Sequence, residues 1–173
     1  GSQVAEALNY AHAKGVIHCD IKPENILIDD QGVAKVADFG VAETVSRTLT
    51  PQQAREFMGT VAYLAPEVLQ GGAPSPASDI YSLGLMLYEM VAGRLPFAGA
   101  NAASTATQRL ATPAPPLRSF AMGASVELEA VLARALAVSP RDRFTTGHAF
   151  AAALHRVPVR AGAVTQAALA PPG

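Results

Sequence analysis

Apolar side chains recur with helical spacing at the start of the chain. Val4, Ala7, Leu8 and Ala11 stand at positions i, i+3, i+4 and i+7, which is the stripe of an amphipathic helix. Gly15 follows at the position where a residue in the left-handed conformation ends many helices. The pattern therefore predicts a first helix that ends just before Gly15.

A β-hairpin is predicted next, because two short apolar runs flank a turn. Residues 26–28 and 33–36 have strand character, and residues 29–32, with the sequence Asp-Asp-Gln-Gly, have the composition of a tight turn. Beyond Gly40 the chain is polar and rich in Thr up to Pro66. This stretch predicts a long loop.

Helical patterns dominate the rest of the chain. The segment 79–93, DIYSLGLMLYEMVAG, is apolar on all sides, which predicts a buried helix at the centre of the core. A short helix is predicted around 101–111, and Ser125 is predicted to cap a further helix with Glu127 and Glu129 in its first turn. The apolar stripe of that helix comprises Leu128, Val131, Leu132, Ala135 and Leu136.

A last helix is predicted from Thr146 to His155, with Phe150, Ala153 and Leu154 on its apolar face. Residues 157–173 are low in complexity and rich in Ala, Pro and Gly, which indicates a tail or linker. The fold class expected is therefore mainly α with a small β-hairpin, in one domain over residues 1–156.

Composition and charge narrow the function classes. Half of the 173 residues are apolar and the net charge is −1, so no general attraction to nucleic acid or anionic lipid is expected. No apolar run approaches the roughly 18 to 20 residues of a membrane span. The single cysteine, Cys19, excludes an internal disulfide and a cysteine zinc cage. A cytoplasmic domain without a membrane segment in this chain is expected.

Chemistry-bearing residues cluster in "HCDIKPENILI", positions 18–28. Asp20, Lys22 and Asn25 could together hold a phosphate and a metal, although Asp20 and Asn25 taken singly read as turn residues. Asp38-Phe39-Gly40 and Ala65-Pro66-Glu67 follow in order, and Asp38 alone could likewise be a turn residue at a strand end. The combined pattern is explained better if these residues belong to one active site than if each is only a turn residue.

These motifs, with "GTVAYLAPE" and "DIYSLG", resemble the C-terminal lobe (C-lobe) of the eukaryotic-type protein kinase family, from about residue 3 to 156. The Ala-rich composition and "GRLPF" look most like the bacterial Ser/Thr kinases of that family. The resemblance implies ATP and Mg²⁺ as cofactors and a protein substrate. Catalysis of phosphoryl transfer rests mainly on positioning and charge neutralisation.

The resemblance implies a role for each residue of the site. Asp20 would accept or orient the proton of the substrate hydroxyl, and Lys22 would reach the γ-phosphate. Asn25 and Asp38 would offer oxygen ligands to Mg²⁺. Thr60, in the Gly-Thr pair typical of Ser/Thr kinases, would bond Asp20 and Lys22, which favours Ser and Thr as acceptors over Tyr.

Further residues are implied to support the site. Phe39 would pack beneath Asp38, while Gly40 would permit the backbone turn that aims it. His18 is expected to anchor backbone. Asp79 could cap its helix, hold the backbone of the 18–25 loop, or do both.

An ion pair between Glu67 and Arg143 is also implied, as the buried link that ties the end of the long loop to the lobe. Loss of one partner would leave an unpaired buried charge, at a cost of about 3 to 5 kcal/mol.

Cys19 stands where many family members have an arginine that clamps a phosphorylated loop. Regulation by a phosphorylated loop that binds at position 19 is therefore not expected. The candidate phosphorylation sites are nevertheless Thr44, Ser46, Thr48, Thr50 and Thr60. An inert buried thiol is favoured over a redox role for Cys19. His12, His148 and His155 are expected to be surface or helix-end residues without ligand-like partners.

The family's small N-terminal lobe (N-lobe) has no counterpart here. No two glycines stand two positions apart, so the Gly-rich phosphate loop is missing, and none of the three lysines suits the strand lysine of that lobe. We expect a piece of a longer kinase that is inactive by itself. A non-catalytic binding module would explain the missing lobe but not the retained metal ligands. A small-molecule phosphotransferase of the same fold is a further alternative, and it is disfavoured because it would lack the Ala-Pro-Glu motif that this chain has.

Overall fold

The computed structural model describes residues 1–39 and 61–158. Within them the helices are α1 (Ser2–Ala13), α2 (Pro66–Leu69), α3 (Pro76–Ala92), α4 (Ala102–Ala111), α5 (Val126–Ala135) and α6 (Gly147–His155). The strands are β1 (Ile26–Ile28) and β2 (Ala34–Val36), and single 3₁₀ turns span Pro23–Asn25, Leu117–Ser119 and Pro140–Asp142. The described part of the chain is mainly α with one small hairpin, as predicted.

Side-chain caps set the starts of four helices. Ser75, Asn101, Ser125 and Thr146 each accept a hydrogen bond from a backbone N–H in the first turn that follows. Such a bond satisfies one of the four N–H groups that a helix start leaves unpaired. The predicted cap at Ser125 is confirmed. The end of α1 is also as predicted, since Gly15 has a φ of +75°.

Helix α3 is the centre of the core and contacts α1, α5 and α6. Three consecutive turns, from Ser78 to Tyr88, are buried on all sides, in agreement with the prediction. The last turn differs, because Met90 is 68% exposed and Val91 is 41% exposed. The apolar pattern of a helix shows which residues could be buried, but it does not show where the neighbouring helices end.

The hairpin pairs β1 with β2 in antiparallel register, with Leu27 opposite Lys35. Asp29 Oδ1 accepts hydrogen bonds from the N–H groups of Gln31 and Val33, which closes the predicted turn. Val33 belongs to this turn and not to the strand, so the predicted second strand is one residue too long.

Two other predictions concern residues that lie mostly outside the described part of the chain. The predicted loop up to Pro66 lies mostly in residues 40–60, and the predicted tail lies mostly in residues 159–173. Both ranges are outside the described residues, so both predictions stay predictions, as do the proposed domain limits.

Candidate active site

The loop that follows α1 is held by a carboxylate from α3. Asp79 is 1% exposed and accepts hydrogen bonds from the backbone N–H groups of His18 at 2.8 Å and Cys19 at 2.9 Å. Ser75, and not Asp79, caps the helix. Of the two roles considered for Asp79, the geometry therefore matches the one that holds the loop.

His18 ties the same loop to the end of β2. The imidazole is fully buried, and Nε2 lies 2.8 Å from the carbonyl oxygen of Ala37, while Nδ1 accepts from the N–H of Asp20 at 3.2 Å. The N–H of Ala37 donates in turn to the carbonyl of Asn25 at 2.9 Å. These contacts bring Asp38, the next residue after Ala37, beside the loop, and they match the anchoring role expected of His18.

Three polar side chains converge within the loop. Lys22 Nζ lies 2.8 Å from Asp20 Oδ2, and Asn25 Nδ2 donates to the same oxygen at 3.1 Å and to the carbonyl of Asp20 at 2.7 Å. Asp20 and Lys22 keep about a quarter and a fifth of their side-chain surface exposed, whereas Asn25 is buried. The carboxylate is thus positioned by neighbours while remaining open to a reactant.

The backbone is strained at both ends of this group. Cys19 has a φ of +70° and Asp38 a φ of +57°, in the left-handed region that costs non-glycine residues about 1 to 2 kcal/mol. Such conformations persist where surrounding contacts fix them, and they cluster at functional sites. Here the bonds from Asp79 and His18 supply those contacts.

Phe39 packs on His18, with ring centroids 4.7 Å apart, and it is 41% exposed. Its ring therefore contacts the histidine that anchors the loop, and its predicted packing beneath Asp38 stays a prediction. Gly40 and Thr60 lie outside the described residues, and the roles predicted for them stay predictions.

The donor set suits a magnesium ion bound together with a nucleotide. Among the described residues no group of three or more His, Cys, Asp or Glu side chains could hold a metal by itself. Magnesium does not require such a group, because it commonly takes one or two protein oxygens together with phosphate and water. Asn25 uses its Nδ2 in hydrogen bonds, so its Oδ1 and the carboxylate of Asp38 are the oxygens that fit.

Cys19 is less buried than expected, since it is only partly buried. Its pKa is nevertheless raised, first by desolvation and then by the negative charges of Asp79 and Asp20. A thiol with a raised pKa is a poor nucleophile at neutral pH. The raised pKa, caused first by desolvation and then by charge, supports the prediction of an inert thiol, which stays a prediction.

Apart from His18, the histidines lie at the surface or at helix ends, as expected, but two of them have hydrogen-bond partners that the sequence did not predict. His12 is 8% exposed in its side chain, and its Nε2 lies 2.8 Å from Asp79 Oδ2, so it is a third contact of the carboxylate that holds the loop. His148 lies 2.8 Å from Glu6 on the surface. His12 continues the spacing of Val4 and Leu8 at i+8, and this position on a buried stripe was the signal that the sequence offered.

The predicted ion pair is present. Arg143 donates to Glu67 through both Nη atoms, at 2.7 and 2.8 Å, and its remaining donors reach the carbonyls of Ala77, Ala137 and Val138. The arginine is buried, and Glu67 keeps 21% of its side-chain surface exposed. One guanidinium thereby joins α2, the start of α3 and the turn after α5.

Comparison with known proteins identifies the class. The protein kinase domain family matches residues 1–155, and the chain belongs to that family. It is similar to the serine/threonine-protein kinase PknB of Mycobacterium leprae, with 40% identity over 90% of this chain and 25% of that protein. It is also similar to PrkC of Bacillus subtilis, with 39% identity over 83% of this chain and 22% of that protein.

PknL of Mycobacterium tuberculosis is a further similar protein, with 38% identity over 89% of this chain and 38% of that protein. The chain thus spans between about a fifth and two fifths of the length of these curated relatives. Within residues 1–39 and 61–158, none of the helices combines the length and the apolar character needed to cross a membrane.

Proposed function

We propose that the longer protein to which this chain belongs is an ATP-dependent protein Ser/Thr kinase. Residues 1–156 form the C-terminal lobe of its catalytic domain, and residues 157–173 form a linker. The names of the similar proteins and the kinase motifs support this proposal. A separate segment supplies the Gly-rich loop and the strand lysine of the N-lobe, so this chain alone is inactive.

The arrangement of Asp20, Lys22 and Asn25 on one anchored loop is the observation that carries the proposal. Asp20 accepts or orients the proton of the acceptor hydroxyl, whose oxygen bonds to the γ-phosphorus as the bond to the ADP oxygen breaks. Lys22 neutralises negative charge on the transferred group. Positioning and charge neutralisation are what phosphoryl transfer demands of the protein.

Asn25 and Asp38 would hold Mg²⁺, which when bound neutralises charge on the phosphates. Asn25 Nδ2 bonds the Asp20 carbonyl and carboxylate, so the amide orientation that leaves Oδ1 for the metal is already fixed by the loop. Phe39 and Gly40 support Asp38. Anchoring of the ring of Phe39 on His18 favours one orientation of the chain at this point.

The acceptor is the hydroxyl group of Ser or Thr in another protein, selected with the help of Thr60. The kinase domain acts in the cytoplasm, where ATP and reduced thiols such as Cys19 are found.

The test uses the full-length protein with radiolabelled Mg·ATP and casein as acceptor. We expect label on Ser and Thr after acid hydrolysis, and a loss of at least about 100-fold in rate for both Asp20→Asn and Asp38→Ala. Asp30→Asn is the matched control, since Asp30 is an exposed carboxylate in the hairpin turn.

Label on Tyr alone would contradict the acceptor class. If the Asp38→Ala protein still performs its function in cells, a non-catalytic binding module would instead be favoured over an enzyme.

A further inference from the structure

Arg109 is a buried cation outside every motif discussed above. It lies in the last turn of α4 and is 1% exposed, with its guanidinium 5.7 Å from the ring centroid of Phe97. Among the described residues it has no carboxylate partner within ion-pair distance. Burial lowers its pKa. A cation in such a place is unfavourable unless its donors are well used.

Both Nη atoms of Arg109 donate to one short segment, Val61–Leu64, whereas the buried Nε has no hydrogen-bond partner among the described residues. Nη1 donates to the carbonyls of Val61 at 2.9 Å and Leu64 at 2.8 Å, and Nη2 donates to the carbonyl of Ala62 at 2.7 Å. The remaining carbonyl, that of Tyr63, accepts from Ser82 Oγ at 2.8 Å. All four carbonyls of the segment are therefore bonded by side chains from α3 and α4.

These contacts define the shape of a segment that has little regular structure of its own. Its internal backbone hydrogen bond, from Leu64 N to the carbonyl of Val61, is long at 3.3 Å. The hydroxyl of Tyr63 donates to Glu89 of α3, which fixes the side chain as well. A planar guanidinium presents its donors in a rigid fork from separate nitrogens, whereas the three donors of a lysine ammonium share one compact, rotatable group.

The segment directly follows Gly59-Thr60 and leads into Ala65-Pro66-Glu67. We propose that Arg109 is a positioning residue for the protein acceptor: by holding the backbone of Val61–Leu64, it sets how well the acceptor binds, without acting on ATP. This inference rests on the proposed function, in which Thr60, the residue directly before this segment, helps to select the acceptor.

The test compares Arg109→Met and Arg109→Lys with the wild type in the full-length protein. For Arg109→Met we expect the KM for casein to rise about tenfold or more, while the KM for ATP and the slow ATP hydrolysis without acceptor stay within about twofold. The KM of Arg109→Lys for casein should lie between the values of the wild type and Arg109→Met, because lysine keeps the charge but not the forked geometry of the donors. Hydrogen exchange in a peptide covering residues 61–65 should become faster in Arg109→Met.

Arg134→Met is the matched control. Arg134 lies in the last turn of α5 and packs over Phe144 at 4.5 Å, much as Arg109 packs over Phe97, but it is exposed. We expect this variant to keep the wild-type KM for casein and the wild-type exchange of residues 61–65.

Four results would overturn the inference. An unchanged KM for casein in folded Arg109→Met would show that the segment does not need this anchor. Equal losses toward ATP and casein, or failure of both Arg109 variants to fold, would show that Arg109 supports the domain as a whole. A wild-type protein that hydrolyses ATP but phosphorylates neither casein nor itself would contradict the proposed function, and this inference with it.

Discussion

At the scale of single residues, Asp79 is the group on which the order of the site depends. Its two oxygens accept from two backbone N–H groups of the loop, of His18 and Cys19, and from the imidazole of His12. Three donors directed at one buried carboxylate hold the loop in a conformation that includes a left-handed cysteine. The loop geometry is therefore determined by a residue about 60 positions away along the chain.

Asp79→Asn tests this dependence. An amide in place of the carboxylate presents an NH₂ to a backbone or imidazole donor, and one buried donor is then left unsatisfied at a cost of about 1 to 3 kcal/mol. We expect a lower melting temperature and a strong loss of phosphate transfer to casein by the full-length protein. The exposed Asp142→Asn is the control, and equal behaviour of the two variants would contradict the role given to Asp79.

Cys19 offers a prediction about pH. Because the pKa of the thiol is raised, the reactive thiolate forms at higher pH than in a free cysteine, whose pKa is about 8.5. Iodoacetamide should therefore label the folded protein more slowly than the urea-unfolded protein at pH 7 to 9, with a midpoint at higher pH. Because the thiol of the unfolded chain loses its proton at a lower pH than the folded one, the free energy of unfolding falls as the pH rises above about 8.5.

Since Cys19 is the only cysteine of this chain, labelling is read from a peptide that contains it. A folded-state midpoint at or below that of the unfolded protein would contradict a pKa raised by desolvation and neighbouring charge, and it would reopen a redox role for the thiol.

At the scale of elements, the packing of α6 on α1 depends on a missing side chain. A Cβ on Gly147, the first residue of α6, would overlap the carbonyl oxygen of Ala5 and would lie 2.9 Å from the backbone nitrogen of Asn9. Backbone atoms of a helix cannot move aside as a flexible side chain can, so the two helices would have to separate.

Gly147→Ala should therefore destabilise the domain by about 1 to 3 kcal/mol, which is the usual cost of overpacking. The measurement is the melting temperature of the kinase domain within the full-length protein, observed through a probe placed on that domain. Gly123→Ala is the control, because a Cβ there would meet no heavy atom of the described residues within 4 Å. An unchanged melting temperature for Gly147→Ala would show that α1 and α6 are not tightly packed.

The elements were more predictable than the contacts between them. The caps, the hairpin turn and the apolar stripes are local patterns, so the sequence shows them directly, as at Ser125 and Gly15. Arg109 was not predicted, because an arginine in a polar helix is normally exposed and its carbonyl partners lie 45 to 48 positions earlier. The exposure of Met90 was missed for the same reason, since burial depends on neighbours.

The residues proposed for catalysis and metal binding show the same difference between local motifs and distant contacts. Asp20, Lys22, Asn25 and Asp38 could be named from the sequence because motif order and spacing mark them. The contacts that position them, from His12 and Asp79, depend on how α1 and α3 pack. Recognition of a motif thus predicts which groups act, and the folded structure is needed to see what holds them.

At the scale of the whole molecule, Arg143 joins parts of the chain that are distant in sequence. Its five hydrogen bonds reach Glu67, the carbonyl of Ala77 at the start of α3, and the carbonyls of Ala137 and Val138. Removal of the arginine leaves Glu67 without its cation and three carbonyls without these donors. A buried carbonyl left without a donor costs about 1 to 3 kcal/mol, so three such losses are a large share of the roughly 5 to 15 kcal/mol that stabilises a domain.

Arg143→Met should therefore lower the melting temperature far more than Arg141→Met, the exposed control two residues away. Glu67→Gln should cost less, because Glu67 is partly exposed and the arginine keeps its carbonyl partners. In a double-mutant cycle, the double variant should be less destabilised than the sum of the single variants, since the two partners share one interaction. Strict additivity would show that Arg143 acts through the backbone carbonyls alone, and that the ion pair contributes nothing to joining α2 with the rest of the domain.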